Sequence, residues 1–202
     1  VLMRLGLGIR RPRKTIPGNE FSGVVAAIGN DVTRFGVGDQ VFGVLWGIPF
    51  AGANAEYVCV PEDGMVMIRP TAIGHDEAAA LPVGALCALH FLRRSGIDDG
   101  HRILIHGASG SVGTYAVQLA KVQGAEVTGV CSTANLEMVE SLGADHVIDY
   151  TREDFSRADI KYDLILATAG YRPLSAYRRA LRPNGAYVAT GGKMAQILQP
   201  AF

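Results

Sequence analysis

The sequence has few cysteines, no excess of charge of either sign and no long apolar run. Its three cysteines, Cys59, Cys87 and Cys131, lie far apart and form no CxxC pair, which argues against a disulfide framework and against a cysteine-based zinc site. Basic and acidic residues balance at 19 each, so a nucleic-acid partner is not expected. The longest apolar stretch, residues 78–92, is shorter than the roughly 20 residues of a membrane helix and is interrupted by a proline, so no membrane partner is expected.

The first residue is Val1 and not an initiator methionine, and no signal peptide is expected at this end. No apolar segment precedes a small-residue cleavage site, and well-separated cysteines suit a reducing compartment. The expected location is therefore the cytoplasm, and the missing methionine suggests a fragment or a processed chain.

Short β-rich runs fill the first part of the chain, which we assign to residues 1–80. These runs combine β-branched and aromatic residues and are bounded by glycine, proline or aspartate, which is typical of antiparallel strands. The predicted strands lie within residues 21–29, 39–45, 55–60 and 65–70. Together they predict a small, partly open β-barrel.

Strands and helices alternate in the second part of the chain, assigned to residues 81–202. A helical stretch over residues 75–96 leads into it, and Pro82 should kink or restart that helix. The predicted strands are 102–108, 126–132, 146–150, 162–170 and 185–192, and the helices between them are 112–124, 134–143 and 173–182. This β-α-β order predicts an α/β fold with a doubly wound parallel sheet.

The stretch HGASGSVG, residues 106–113, stands between a predicted buried strand and a predicted helix. Ala108, Gly110 and Gly113 fall on the three positions of the GxGxxG spacing, with alanine in the first place. A tight bend without a ligand is the alternative, but the flanking strand and helix favour a turn that binds the pyrophosphate of a dinucleotide. Ala108 fits only if its φ angle stays negative.

The loop after the second Rossmann strand reads GVCSTAN and contains no carboxylate that would bind both ribose hydroxyls of NAD. Ser132 and Thr133 leave room for a 2′-phosphate, which favours NADPH, although no Arg or Lys in the loop strengthens that preference. NADH therefore stays an alternative. The same two residues also suit an ordinary helix N-cap.

Seven motifs in order resemble the medium-chain dehydrogenase/reductases, in particular their zinc-free quinone oxidoreductase-like branch. They are IPGNEFSGVVAAIG, GVGDQVFG, AEYVCVP, EAAALPVGALCALHFL, ILIHGASGSVGTYAVQLAK, GAEVTGVCST and LGADHVIDY. The resemblance implies a partial GroES-like β-barrel followed by a Rossmann domain, with NADPH as the cofactor. It also implies hydride transfer to a quinone or an α,β-unsaturated carbonyl.

The same resemblance implies where the cofactor contacts the chain. The glycine turn would face the pyrophosphate, the loop and strand end after it would face the adenosine ribose, and a helix residue and the fourth strand end would face the nicotinamide. The residues so implied are Ser109, Gly110, Ser111, Val112, Gly113, Ser132, Thr133, Tyr150, Cys87, Thr168, Ala169 and Gly170. Ala134 and Ala167 stand where close relatives often carry a basic and an acidic residue.

A metal is not expected, because Asn19 stands where the zinc-dependent alcohol dehydrogenases of the superfamily carry a metal-binding histidine. The five histidines have no ligand spacing and are more typical of surface or hydrogen-bonded core positions. No side chain is assigned as the catalytic proton donor, since Asn54 and Tyr57 suit surface or packing roles in a β-structure.

Two other functions stay open: a metal-free alcohol dehydrogenase, and an NADPH-binding sensor or structural protein without turnover. The resemblance implies a homodimer and further chain at both ends, so that the sequence is expected to be either part of a longer enzyme or a natural remnant.

Overall fold

A computed structural model describes residues 16–45 and 52–191. The chain divides between Val83 and Gly84 into two compact units. Each unit has its own hydrophobic core, as independent folding units require.

The described residues of the first unit form a three-stranded antiparallel sheet. Its strands are β1 (Glu20–Val24), β2 (Gln40–Val44) and β3 (Val66–Ile68), with β2 in the middle. Phe21, Val41 and Val66 form its core. Gly43 lies opposite Phe21, and a Cβ at this position would come within 2.2 Å of the Met65 carbonyl oxygen, so only glycine lets the strands approach this closely.

The strand predicted over residues 55–60 is wrong. This segment forms no strand, although Val58 and Val60 pack against the Phe21 core while Cys59 between them is exposed. The apolar alternation therefore reports which side chains are buried. It does not provide the ladder of backbone hydrogen bonds that defines a strand.

The helix predicted between the units is divided in two, as Pro82 requires. Helix α1 spans His75–Ala80, and α2 spans Pro82–Arg94. Proline suits the first position of the second helix, because an N–H at that position would have no intrahelical partner. No helix in the described ranges is long and apolar enough to cross a membrane.

The second unit contains a five-stranded parallel sheet, and every predicted strand is present. The strands are β4 (Arg102–His106), β5 (Glu126–Cys131), β6 (His146–Asp149), β7 (Tyr162–Ala167) and β8 (Leu181–Ala189), in the spatial order β6-β5-β4-β7-β8. Chain order reverses at β4, which lies between β5 and β7. In open α/β sheets such a reversal opens a crevice at the carboxyl ends of the strands, where ligands bind.

Helices cover both faces of this sheet. The connecting helices are α3 (Ser111–Val122), α4 (Leu136–Ser141), which follows a 3₁₀ turn at Thr133–Asn135, and α5 (Leu174–Ala180). Ile103 and Ile105 of β4 pack on the side of α2, α3 and α4, whereas Leu104 packs on the side of α5. The sheet is therefore doubly wound, as predicted.

Candidate functional site

The glycine turn connects β4 to α3 at the reversal point of the sheet. Gly107 has φ +92°, and the backbone N–H groups of Gly107 and Ala108 both donate to the Val130 carbonyl oxygen at 3.0 Å. Ala108 is fully buried and is not among the residues of positive φ, as its Cβ requires. The left-handed position is thus Gly107, one residue before the place that the GxGxxG spacing indicates.

Gly110 and Gly113 have different environments within this turn. Gly110 is the N-cap residue of α3, with φ −83° and ψ 170°, and no side chain caps the helix there. It is exposed, whereas Gly113 is buried, and a Cβ at Gly113 would lie 2.2 Å from the Gly107 carbonyl oxygen. The backbone of the turn is therefore open to solvent at Gly110 and closely packed at Gly113.

The start of α3 offers donors to an anion. In an α-helix the N–H groups of the first turn, here Ser111, Val112 and Gly113, have no carbonyl partner one turn earlier. The twelve-residue helix also directs the positive end of its dipole to this point. A pyrophosphate fits these donors, because Gly110 has no side chain to keep it away from the backbone.

Helix α2 packs closely against the start of α3. A Cβ at Gly84 would lie 2.6 Å from the Ser111 hydroxyl oxygen and 2.8 Å from the Tyr115 ring. Cys87 is half-buried and follows Gly84 by three residues, so it lies on the same side of α2. Among the residues that the structure describes, no contact joins Cys87 to the glycine turn itself.

The loop after β5 is joined to the glycine turn by one side chain that the sequence prediction missed. The Asn135 side-chain amide donates to the Ser109 hydroxyl at 3.3 Å and to the Ser132 hydroxyl at 3.1 Å. It therefore connects two predicted cofactor-binding segments that lie more than 20 residues apart in sequence. Asparagine three residues after a serine is too common a pattern to indicate this role.

The loop after β5 contains no carboxylate of its own, as the sequence shows, but the neighbouring strand brings one to it. The Thr133 hydroxyl donates to one carboxylate oxygen of Asp149, and the Thr151 hydroxyl donates to the other at 2.7 Å. These hydrogen bonds, that from Thr133 first, lower the pKa of Asp149. Parallel pairing of Cys131 with Asp149 brings the strand ends together, so the carboxylate comes from the neighbouring strand and not from the loop.

Tyr150 lies at the same strand end, half-exposed, with its backbone N–H donating to the Cys131 carbonyl oxygen at 3.1 Å. The next turn brings in a charge that the loop lacks: Arg152 Nε lies 3.6 Å from the carboxylate oxygen of Asp149 that also accepts from Thr133. Ser132, Thr133 and Tyr150 are thus clustered, with Asp149 and Arg152 as further members.

The end of β7 packs directly on the glycine turn. The Thr168 hydroxyl donates to the carbonyl oxygens of His106 and Gly107 at 3.1 and 3.0 Å, and the Ala169 N–H also donates to His106. The Gly170 N–H donates to the Gly191 carbonyl oxygen at 3.1 Å. These contacts place Thr168 and Ala169 beside the turn, as the reversal at β4 predicts, and Gly170 beside Gly191.

A buried histidine lies directly under the turn. Nδ1 of His106 and the Tyr177 hydroxyl share a hydrogen bond of 2.7 Å, surrounded by the rings of Phe155 and Tyr187. Burial, together with the positive charge of Arg172, lowers the pKa of His106 to about 4, and burial raises the pKa of Tyr177. His106 is thus a neutral, hydrogen-bonded core residue.

Two further candidates lie in the first unit. Tyr57 is exposed, and Asn54 packs against Gly18, with its backbone N–H donating to the Pro17 carbonyl oxygen at 2.9 Å. Among the described residues there is no group of three or more His, Cys, Asp or Glu side chains arranged to hold a metal.

Two family models match the sequence. The model described as an alcohol dehydrogenase GroES-like domain matches residues 2–70, and the model described as a zinc-binding dehydrogenase matches residues 111–201. These ranges cover most of the strand-rich first unit and most of the parallel sheet.

Curated relatives are similar along most of the chain. A chloroplast envelope quinone oxidoreductase homolog of Arabidopsis thaliana is 39% identical over 186 residues, covering 86% of this chain and 56% of the relative. An NADPH-dependent alkenal/one oxidoreductase, chloroplastic, of the same plant is 35% identical over 198 residues, covering 95% of this chain and 50% of the relative. The chain spans about half the length of the curated relatives it matches.

Solved structures share the fold. A quinone oxidoreductase from Coxiella burnetii has a TM-score of 0.83 at 29% identity, covering 94% of this chain and 59% of its own. The CurK enoyl reductase has a TM-score of 0.79 at 29% identity, covering 95% and 58%.

Proposed function

Because the chain belongs to the medium-chain dehydrogenase/reductase superfamily, in its quinone oxidoreductase-like branch, we propose that it is part of an NADPH-dependent reductase of quinones or α,β-unsaturated carbonyls that works without metal. The family supports a nicotinamide cofactor, and the choice of NADPH over NADH is our proposal. Relatives whose names include quinone oxidoreductase, alkenal/one oxidoreductase and enoyl reductase support this substrate class.

One observation carries the proposal. Gly110, the exposed N-cap residue of α3, leaves the start of the helix without a side-chain cap, and Gly113 nearby packs on the Gly107 carbonyl. In this proposal the N–H groups of Ser111, Val112 and Gly113 bind the pyrophosphate. When bound, the cofactor supplies the hydride, and the protein supplies its binding and orientation.

The remaining predicted contacts are proposals of the same kind. Ser109 would lie with the glycine turn at the pyrophosphate, and Ser132, Thr133 and Tyr150 would hold the adenosine ribose. Thr168, Ala169, Gly170 and Cys87 would lie at the nicotinamide end. The hydrogen bonds from Thr168 to the carbonyl oxygens of His106 and Gly107 support this, because they hold the proposed nicotinamide end against the glycine turn.

Binding tests the proposal before turnover does. We expect the purified protein to raise the nicotinamide fluorescence of NADPH at low micromolar concentration, and that of NADH less. It should then oxidise NADPH with a quinone or an enone, at a rate that EDTA leaves unchanged because no metal takes part.

Other outcomes identify the alternatives. NADPH binding without turnover across a broad set of quinones and enones would support a sensor or structural protein. Oxidation of alcohols with NADP⁺ in EDTA would support a metal-free alcohol dehydrogenase. Failure to bind either dinucleotide would contradict the proposal.

Three expectations accompany this function: domain limits of 1–80 and 81–202, a cytoplasmic location and a homodimer. The names of several plant relatives include a chloroplast location, so the location of this protein needs its own measurement. Sedimentation at micromolar concentration tests the dimer.

A further inference from the structure

The turn after β6 carries Arg152, an exposed arginine that lies beside the loop after β5. We propose that the Arg152 guanidinium binds the 2′-phosphate of NADPH and sets the preference of this protein for NADPH over NADH. This inference rests on the proposed function and names one of the residues that decide its cofactor.

Strand register fixes where Arg152 lies. Cys131 of β5 pairs with Asp149 of β6, so the loop after β5 and the turn after β6 leave the sheet side by side. The two segments touch, since the Thr133 and Thr151 hydroxyl oxygens are 3.4 Å apart. The Arg152 N–H donates to the Asp149 carbonyl oxygen at 3.0 Å, which anchors the arginine backbone in this turn.

The glycine turn indicates which part of a dinucleotide reaches this point. A pyrophosphate at the start of α3 places the adenosine ribose at the end of the next strand, β5. The hydrogen bonds of Asn135 to Ser109 and Ser132 show that the pyrophosphate turn and this loop are in direct contact. A phosphate on the ribose 2′-oxygen would then lie over Thr133, next to Arg152.

A phosphate can bind beside this loop only if a positive charge offsets the carboxylate of Asp149. Asp149 is 5% exposed and its carboxylate accepts from Thr133 and Thr151, so it carries a negative charge directly behind the loop. Alone, that charge would repel a 2′-phosphate and favour NADH. Nε of Arg152 lies 3.6 Å from the same carboxylate, and the arginine side chain is 74% exposed. The two terminal nitrogens of the guanidinium are therefore available to a phosphate.

A matched control lies five residues further along the chain. Arg157 pairs with Asp154 at the same three-residue separation, with Nε 3.7 Å from a carboxylate oxygen and an 85% exposed side chain. It follows a different turn and does not touch the ribose loop in any described contact. Arg157→Gln therefore removes an equivalent charge and an equivalent ion pair away from the proposed phosphate.

The test measures the dissociation constants of NADPH and NADH for the wild-type protein, Arg152→Gln, Arg152→Lys and Arg157→Gln by nicotinamide fluorescence. We expect Arg152→Gln to weaken NADPH about tenfold, the effect of one charge-assisted contact, and to change NADH less than about twofold. Arg152→Lys should recover part of the NADPH affinity, because it keeps the charge without the fork. Arg157→Gln should match the wild type.

Competition by adenosine fragments separates a 2′-phosphate from any other anion. Adenosine 2′,5′-bisphosphate should lose affinity for Arg152→Gln, while adenosine 5′-monophosphate should not. An NADPH-to-NADH ratio that Arg152→Gln leaves unchanged overturns the inference and leaves the proposed function standing. A wild-type protein that binds neither dinucleotide overturns both.

Discussion

Gly113→Ala should abolish NADPH binding and destabilise the parallel-sheet unit by about 2–3 kcal/mol, as overpacking of a rigid contact does. The added methyl would lie 2.2 Å from the Gly107 carbonyl oxygen and 2.8 Å from the Ala108 Cα, and both are backbone atoms that no rotamer change can move aside. Helix α3 must therefore shift away from the turn, and the donors of its first turn move with it. Urea unfolding and NADPH titration of the same preparation measure the two effects.

Gly110→Ala is the matched variant at the exposed glycine of the same turn. Its φ of −83° and ψ of 170° suit alanine, and the nearest atom to the new methyl would be 3.4 Å away. We expect its free energy of unfolding to change by less than about 1 kcal/mol, since alanine is only a poorer N-cap than glycine. NADPH affinity should nevertheless fall at least about tenfold, because the methyl occupies the place where the pyrophosphate meets the backbone.

The two variants together separate folding from binding. If Gly110→Ala binds NADPH as tightly as the wild type, the phosphates do not lie over this residue and the proposed function loses its main support. If Gly113→Ala keeps wild-type stability, α3 is not held against the turn as the structure describes.

The second large effect is a loss of stability in weak acid that depends on His106. An ordinary histidine in the unfolded chain titrates near 6.5, whereas burial and the charge of Arg172 hold the pKa of folded His106 at about 4. Between these values the unfolded state binds more protons, so stability falls as the pH falls. The contribution is complete above about pH 6.5, and about 3 kcal/mol is lost by about pH 4.

His106→Gln should flatten this dependence, because glutamine keeps a polar group beside the Tyr177 hydroxyl and does not titrate. Urea unfolding of the wild type and of the variant between pH 7 and 4.5 measures the difference in slope. His90→Gln, which removes an exposed histidine of α2, is the control and should keep the wild-type slope. Equal slopes for the wild type and His106→Gln would show that His106 does not titrate in this way.

The fold was predictable from sequence because its signals are local. Apolar runs of strand length between helical patterns indicated each parallel strand, and the proline at residue 82 indicated the break between two helices. The strand prediction for residues 55–60 was wrong, because burial of alternate side chains gives the same sequence pattern as a strand even where the segment has no partner strand. The glycine turn was predictable for the same local reason, although its left-handed residue is Gly107 and not the first position of the GxGxxG spacing.

The sequence by itself determined the fold class, the order of the strands along the chain and the place of the glycine turn, since each depends on residues a few positions apart. Only the tertiary structure decided which charges and partners meet at the site. Asp149 reaches Thr133 across 16 residues because β5 and β6 end side by side. His106 reaches Tyr177 across 71 residues because α5 packs on the face of the sheet. Composition and spacing carry no record of strand register, and register is what brings a carboxylate and an arginine to the ribose loop.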